Sequence, residues 1–251
     1  MLELDAGFFA LAGPAVLLAG ISKAGFGSGA AFASATILAL SLQPAMALGI
    51  MLPLLMLIDL ASLPPYWRQW SWPEAKVLIL GGIPGVALGA WLFRQADDDV
   101  LRLLIGSIAL AFVAWQVAQQ KGWLRPNASK MPTAIGLLAG LVTGFTSFVS
   151  HAGGPPAAIY LLSQRLSKTG FQGTTVLVFW AINIAKAIPY SFLGMFTVQT
   201  AKADLLLVPF ALLGTWLGVR AHRFVPELLF FRITHVLLVL TGSKLIWDAL
   251  T

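Results

Sequence analysis

Cysteine is absent from the 251 residues, and histidine occurs three times, at positions 151, 222 and 235. The first absence excludes disulfides, thiolate metal sites and thiol catalysis, and so few imidazoles leave little from which to build a zinc centre. Charge is scarce too, at 10% of residues where soluble domains carry about 25%. No phosphate-binding loop, dinucleotide fingerprint or metalloprotease motif is present. Ser150 and His151 are adjacent but no acid stands near them to complete a nucleophile and base set. The acidic start, Met1-Leu-Glu-Leu-Asp5, lacks the basic first region of a cleavable signal peptide.

What is present is apolar. Hydrophobic residues make up 58% of the chain and the mean hydropathy is +0.85, which excludes a water-soluble globular domain. About 20 apolar residues cross a hydrocarbon core of about 30 Å, and runs at 6–22, 28–41, 45–63, 76–93, 101–118, 133–149, 155–163, 174–193, 205–222 and 229–249 predict ten helical segments. The expected class is an all-α polytopic protein whose residues 1–251 form a single integral membrane domain in the inner membrane. Its net charge of +6 reads as positive charge on cytoplasmic loops rather than a nucleic-acid surface.

The polar loop 119–132 divides the segments five and five. Sliding the second half over the first by 124 positions sets Gly20 on Gly144, Gly29 on Gly153, Asp59 on Asn183 and Pro65-Tyr66 on Pro189-Tyr190. After a further shift of five, Gly85 and Gly89 fall on Gly214 and Gly218. This register predicts internal repeats at about 6–118 and 133–249. If the first two segments of each half form one interrupted helix, the halves are parallel; if they form a hairpin that returns to its own side, the halves are inverted. The hairpin reading puts ten basic residues on one side and four on the other, whereas the parallel reading splits the same fourteen evenly. The positive-inside rule favours the hairpin, with 119–132 cytoplasmic and both termini outside.

Each hairpin has a glycine-rich tip, at Lys23–Gly29 and at Ser147–Pro156, between segments of about 17 and 14 residues in the first half and about 17 and 9 in the second. Segments this short predict re-entrant or broken legs. Irregular backbone at membrane depth is tolerated where it is buried in protein or lines a cavity, and a helix starting after such a tip directs free N–H groups toward an anion. Paired interruptions of this kind mark the central site of a transporter. The glycine pairs at spacing four, Gly85/Gly89 and Gly214/Gly218, read instead as close helix packing.

Ionisable residues within apolar segments need a partner or a polar cavity. Lys23 and Lys186 are the two of sixteen basic residues that remain once the fourteen loop residues are placed. Lys186 and Asn183 are three apart on one helix face, and Lys23 and His151 stand at opposite tips. The candidate substrate-binding set is therefore Lys23, Gly27, Ser28, Gly29, Ser150, His151, Gly153, Gly154, Asn183 and Lys186. Asp59 is the candidate coupling group, with His151 as the alternative; Asp59 could also form a salt bridge with Lys186. His235 reads as a hydrogen-bonded packing residue, and the tryptophans near segment ends as an interfacial belt.

At the two tips the chain resembles the TauE/SafE family of bacterial membrane proteins. The resemblance rests on Gly20–Gly29 (GISKAGFGSG), Gly144–Pro156 (GFTSFVSHAGGPP), Gly81–Ala90 (GGIPGVALGA) and the Asn183 helix followed by Gly194. It spans essentially the whole chain. Family members commonly carry a denser glycine run at each tip, which Ser28 and His151-Ala152 interrupt here. The resemblance implies movement of sulfite or an organosulfonate across the membrane, and the residues add a positively charged site suited to a small anion. The sequence thus predicts a secondary transporter working by alternating access, with the lipid bilayer and a small anion as its partners, no cofactor, and a homo-oligomer allowed. A passive anion channel, a carrier of another solute or metal ion, and a membrane-embedded enzyme are the rivals. The last would need an acid-base or metal constellation that the sequence does not display.

Overall fold

The computed structural model describes residues 4–25, 31–123, 130–221 and 227–251, and its regular structure there is entirely helical. The ten expected segments are present: α1 (Ala6–Gly25), α2 (Ala33–Leu38), α3 (Pro44–Ser62), α4 (Trp72–Gln95), α5 (Asp98–Gln120), α6 (Thr133–Ser150), α7 (Gly154–Ser163), α8 (Lys168–Phe192), α9 (Val198–Ala221) and α10 (Glu227–Leu250). Most exceed the apolar runs that predict them, because a helix continues past the hydrocarbon wherever its ends are capped. At α5 the Asp97 carboxylate accepts from Val100 N at 2.8 Å, and at α8 the Ser167 hydroxyl accepts from Gly170 N at 3.0 Å, each tying down a free first-turn N–H.

Among the described residues, eight helices are long and apolar enough to cross a membrane by length and composition. They include α1 and α6, the first legs of the two hairpins, which have 20 and 18 residues. The expectation of short legs therefore needs correcting: only the second legs are short, α2 with 6 residues and α7 with 10. Mid-helix side chains such as Leu80, Leu205 and Leu240 are more than 60% exposed, an apolar exterior that lipid covers without cost.

Both second legs fold back along the first. Ser34 Oγ on α2 donates to Ala15 O of α1 at 2.5 Å, so α2 lies beside the middle of α1. In the second half, Tyr160 of α7 packs against Gly136 of α6. Gln164 Nε2 just beyond α7 donates to Met131 O at 3.0 Å, and Met131 N donates to Ser163 Oγ at 3.3 Å. The turn between α6 and α7 is made by His151, which takes the left-handed conformation (φ 57°). His151 N donates to Ser147 O and Ala152 N to Thr146 O, closing the last carbonyls of α6 as a left-handed helix end does. Pro155 and Pro156 then occupy the first turn of α7, where a missing N–H is harmless.

The halves interlock. Helix α1 packs along α9, α4 along α6, and α5 along α10. The first two of these contacts are backbone to backbone: a Cβ on Gly144 would sit 2.0 Å from Gly82 O, and one on Gly85 would sit 2.1 Å from Leu141 O. The corresponding residues of the other pair do the same, with Gly20 against Ala211 O at 2.8 Å and Gly214 against Leu17 O at 2.5 Å. These contacts match at the offsets found in the sequence, so the glycine pairs at spacing four serve packing as expected. Helices α3 and α8 cross between the interlocked pairs, and α3 is the most buried of the eight long helices.

Gly144→Ala is expected to lower stability by more than the ~1–3 kcal/mol of ordinary overpacking, because backbone cannot move aside. Gly173→Ala, whose added carbon would first meet a Tyr66 side-chain carbon at 3.3 Å, should cost little. Thermal unfolding of the two variants in detergent separates these outcomes.

Candidate functional site

Where α1, α3, α8 and the end of α6 meet, six polar side chains form a continuous chain of contacts. Lys23 Nζ pairs with Asp59 Oδ1 at 2.5 Å. The other carboxylate oxygen, Oδ2, accepts from Asn183 Nδ2 at 2.8 Å. Asn183 Oδ1 accepts from Lys186 Nζ at 3.4 Å, and Lys186 Nζ also donates to Ser147 Oγ at 3.2 Å and to His151 Nδ1 at 2.6 Å. His151 Nε2 lies 3.2 Å from Leu48 O. A carbonyl can only accept, so Nε2 carries the ring proton and Nδ1 presents its lone pair to the ammonium.

The chain is sealed from solvent: Asp59 and Lys186 are 0% exposed, Asn183 2%, Lys23 6% and His151 7%. Aromatic rings close it on two sides. Lys23 Nζ lies 5.9 Å from the Phe179 ring and Lys186 Nζ 5.7 Å from that of Tyr190, whose hydroxyl is fixed by donation to Phe148 O at 2.6 Å. Charge is unevenly compensated along the chain. Lys23 and Asp59 neutralise one another, but all three N–H bonds of Lys186 go to uncharged acceptors, and among the described residues it makes no ion pair with a carboxylate.

Asp59 and Asn183, which the 124-residue offset of the sequence aligns, hydrogen-bond directly to each other. The salt bridge considered between Lys186 and Asp59 is not made; Asp59 pairs with Lys23 instead. His151 at its tip meets Lys186 directly.

Other expected residues lie elsewhere. Ser150 Oγ donates to Thr146 O of its own helix at 3.0 Å and takes no part in the chain. Gly153 precedes α7 and Gly154 begins it; a Cβ on Gly153 would sit 2.8 Å from Thr143 O and 2.9 Å from the Phe179 ring, so its role here is to let the turn close. Gly27, Ser28 and Gly29 lie outside the described residues, as do residues 124–129 of the 119–132 loop. His235 Nε2 is hydrogen-bonded to Gln116 Oε1, the packing arrangement expected of it. Residues missed in the sequence are Ser147, Thr143 and Tyr190. Thr143, Ser147 and His151 recur every four residues, a polar stripe on an otherwise apolar helix, and this spacing was the available signal. Thr143 Oγ1 is buried without a hydrogen-bond partner among the described residues. An open cleft of about 830 Å³ lies between the start of α1 and the α2–α3 turn, lined in part by Asp5, Phe8, Ser41 and Gln43, and it shares no lining residue with the buried chain.

Helices long enough to span a bilayer, two fold-back hairpins, and a cationic site sealed where they meet define a polytopic membrane protein built around a buried polar centre. Its relatives are transporters. The family model "Sulfite exporter TauE/SafE" matches residues 12–245, and the chain belongs to that family. It is 27% identical over 241 residues to the "Probable membrane transporter protein YjnA" of Bacillus subtilis (strain 168), covering 87% of this chain and 91% of that protein. It is 26% identical over 189 residues to the "Probable inner membrane transporter protein TsaS" of Comamonas testosteroni, covering 71% and 74% respectively. No solved structure matches the chain significantly. Family and relatives are membrane transporters, not enzymes.

Asp59→Leu should destabilise the protein by ~3–5 kcal/mol, since it strands the buried Lys23 ammonium. Lys23→Met combined with Asp59→Leu removes both charges and should recover more than half of that loss. Thermal unfolding of the single and double variants in detergent measures the difference; equal loss in both would show that the pair is not the stabilising contact.

Proposed function

We propose that the protein is a secondary transporter that carries a small anion, sulfite or an organosulfonate, across the inner membrane by alternating access. The observation that carries this reading is Lys186: a fully buried ammonium whose three hydrogen bonds all end on neutral atoms. An uncompensated cation in a dry interior is costly, and an anion that reaches it supplies the missing charge. The unpartnered Thr143 hydroxyl, one turn along α6 from Ser147, offers a further hydrogen-bond donor. In this reading Lys186 and Asn183 hold the substrate, Lys23 contributes to the positive field, and Gly153 and Gly154 form the turn beside it. Asp59 has a positioning part, holding Lys23 and Asn183.

Two further features support a carrier over a channel. The site is occluded rather than continuous with an open pore. The fold-back of both second legs also suits an odd number of crossings in each half, and hence inverted repeats, the arrangement on which alternating access by rocking or gating rests.

In proteoliposomes, Lys186→Ala is expected to abolish sulfite and methanesulfonate uptake while the protein still reaches the membrane at normal levels; unchanged uptake would remove Lys186 from the site. The topology has its own test, made simple by the lack of native cysteine. In intact cells an impermeant maleimide should label Gln95→Cys but should label Lys121→Cys only after permeabilisation, and the reverse pattern would overturn the orientation.

A further inference from the structure

The contact between Lys186 Nζ and His151 Nδ1, 2.6 Å long, is a single hydrogen bond between two bases. It has room for one proton. A second proton would make both partners cationic at that distance in a site that excludes water, where like charges repel far more strongly than in bulk solvent. We propose that this pair is the proton-coupling element: it holds one proton when the site is empty and takes up a second, on His151 Nδ1, only together with a monovalent anion that separates the two cations. The inference rests on the reading of the site as an anion site and adds to it the charge of the substrate and the identity of the driving ion.

Three observations carry it. First, the imidazole is oriented to accept a proton at one atom. Leu48 O fixes the existing ring proton on Nε2, so Nδ1, whose lone pair accepts from Lys186, is the ring atom that can take a further proton. Second, His151 holds a left-handed backbone conformation (φ 57°), which glycine adopts without strain and most other residues reach only at a cost of about 1–3 kcal/mol. The matching position of the first half is Gly27, so the second half keeps a ring where the backbone favours none. Third, the remaining charged and titratable groups around the pair are already engaged. Lys23 from α1 and Asp59 from α3 neutralise each other, and Tyr190 from α8 donates its hydroxyl proton to Phe148 O. Asp59 is held in its ion pair with Lys23 and its contact with Asn183, whereas Nδ1 gains a proton simply by releasing Lys186.

The charge count then sets the mode of transport. The empty site carries one net positive charge, from Lys186. Binding a monoanion together with a proton leaves that net charge unchanged, so loaded and empty carriers move the same charge and the cycle is electroneutral. A dianion taken up with one proton would not satisfy this condition.

Methanesulfonate is the probe, because its charge does not titrate and any proton dependence then belongs to the protein. With the purified full chain in proteoliposomes, one proton per anion predicts that a gradient of one pH unit, acid on the methanesulfonate side, drives accumulation of up to about tenfold. A membrane potential set by potassium and valinomycin should drive none. His151→Asn, which tolerates the left-handed turn, should lower the pH-driven accumulation ratio to about one, with methanesulfonate still able to equilibrate down its gradient at a reduced rate. Accumulation driven by voltage and not by pH in the wild-type protein overturns the proposal whatever the variant does, and so does pH-driven accumulation that survives in His151→Asn. Failure to take up methanesulfonate or sulfite under either gradient would instead defeat the anion-transport reading itself.

Discussion

Everything near the centre of this protein follows from the difficulty of keeping charge in a dry, apolar interior. Three charged side chains, Lys23, Asp59 and Lys186, come from three different helices and can stay ionised only if their geometry is held closely. The Lys23–Asp59 ion pair draws the first hairpin against α3. Asn183 then extends that contact across to α8, and Lys186 to the end of α6. Buried ion pairs contribute little net stability, yet breaking one is expensive. The chain of contacts therefore acts more as a specification of how the two halves meet than as a source of stability.

The framework that makes such a specification possible is made of glycine. Where Gly144 faces Gly82 and Gly20 faces Ala211, backbones lie close enough that no side chain separates them. Association of helices in lipid has no help from the hydrophobic effect and relies on close contact of this kind. The large side chains are thereby displaced to the lipid face and to the interior around α3, leaving a small enclosed space for the polar residues between the two interlocked pairs.

Much of this was legible in the sequence, because lipid imposes a simple pattern. Apolar runs marked all ten helices, and the offset that aligned Gly20 with Gly144 also marked the contacts these residues make. Ends were less legible. Helix α8 begins at Lys168 and α9 at Val198, each several residues before its apolar run, since the more polar Lys168-Thr-Gly-Phe-Gln-Gly and Val198-Gln-Thr-Ala-Lys-Ala-Asp are helical as well. Helix α1 runs through Ser22 and Lys23 to Gly25, although a lysine ordinarily signals a boundary; Asp59, distant in sequence, removes that objection. That Asp59 would pair with Lys23, and not with Lys186 as considered from the sequence, was equally hidden, because it depends on how far α1 extends. The polar stripe of Thr143, Ser147 and His151 was readable from spacing alone, but it gains meaning only once Lys186 is seen to face it.

The exchange of partners between the halves also bears on how the chain is assembled. The glycine face of α1 is completed by α9, the ninth of ten helices to be made, while α4 finds its partner α6 almost at once. During synthesis the first hairpin therefore enters the membrane with its tightest packing surface uncovered and with Lys23 ahead of the aspartate that neutralises it. Nearly the whole chain must be inserted before α1 can dock, so the element that carries the first charge of the site is among the last to reach its final place.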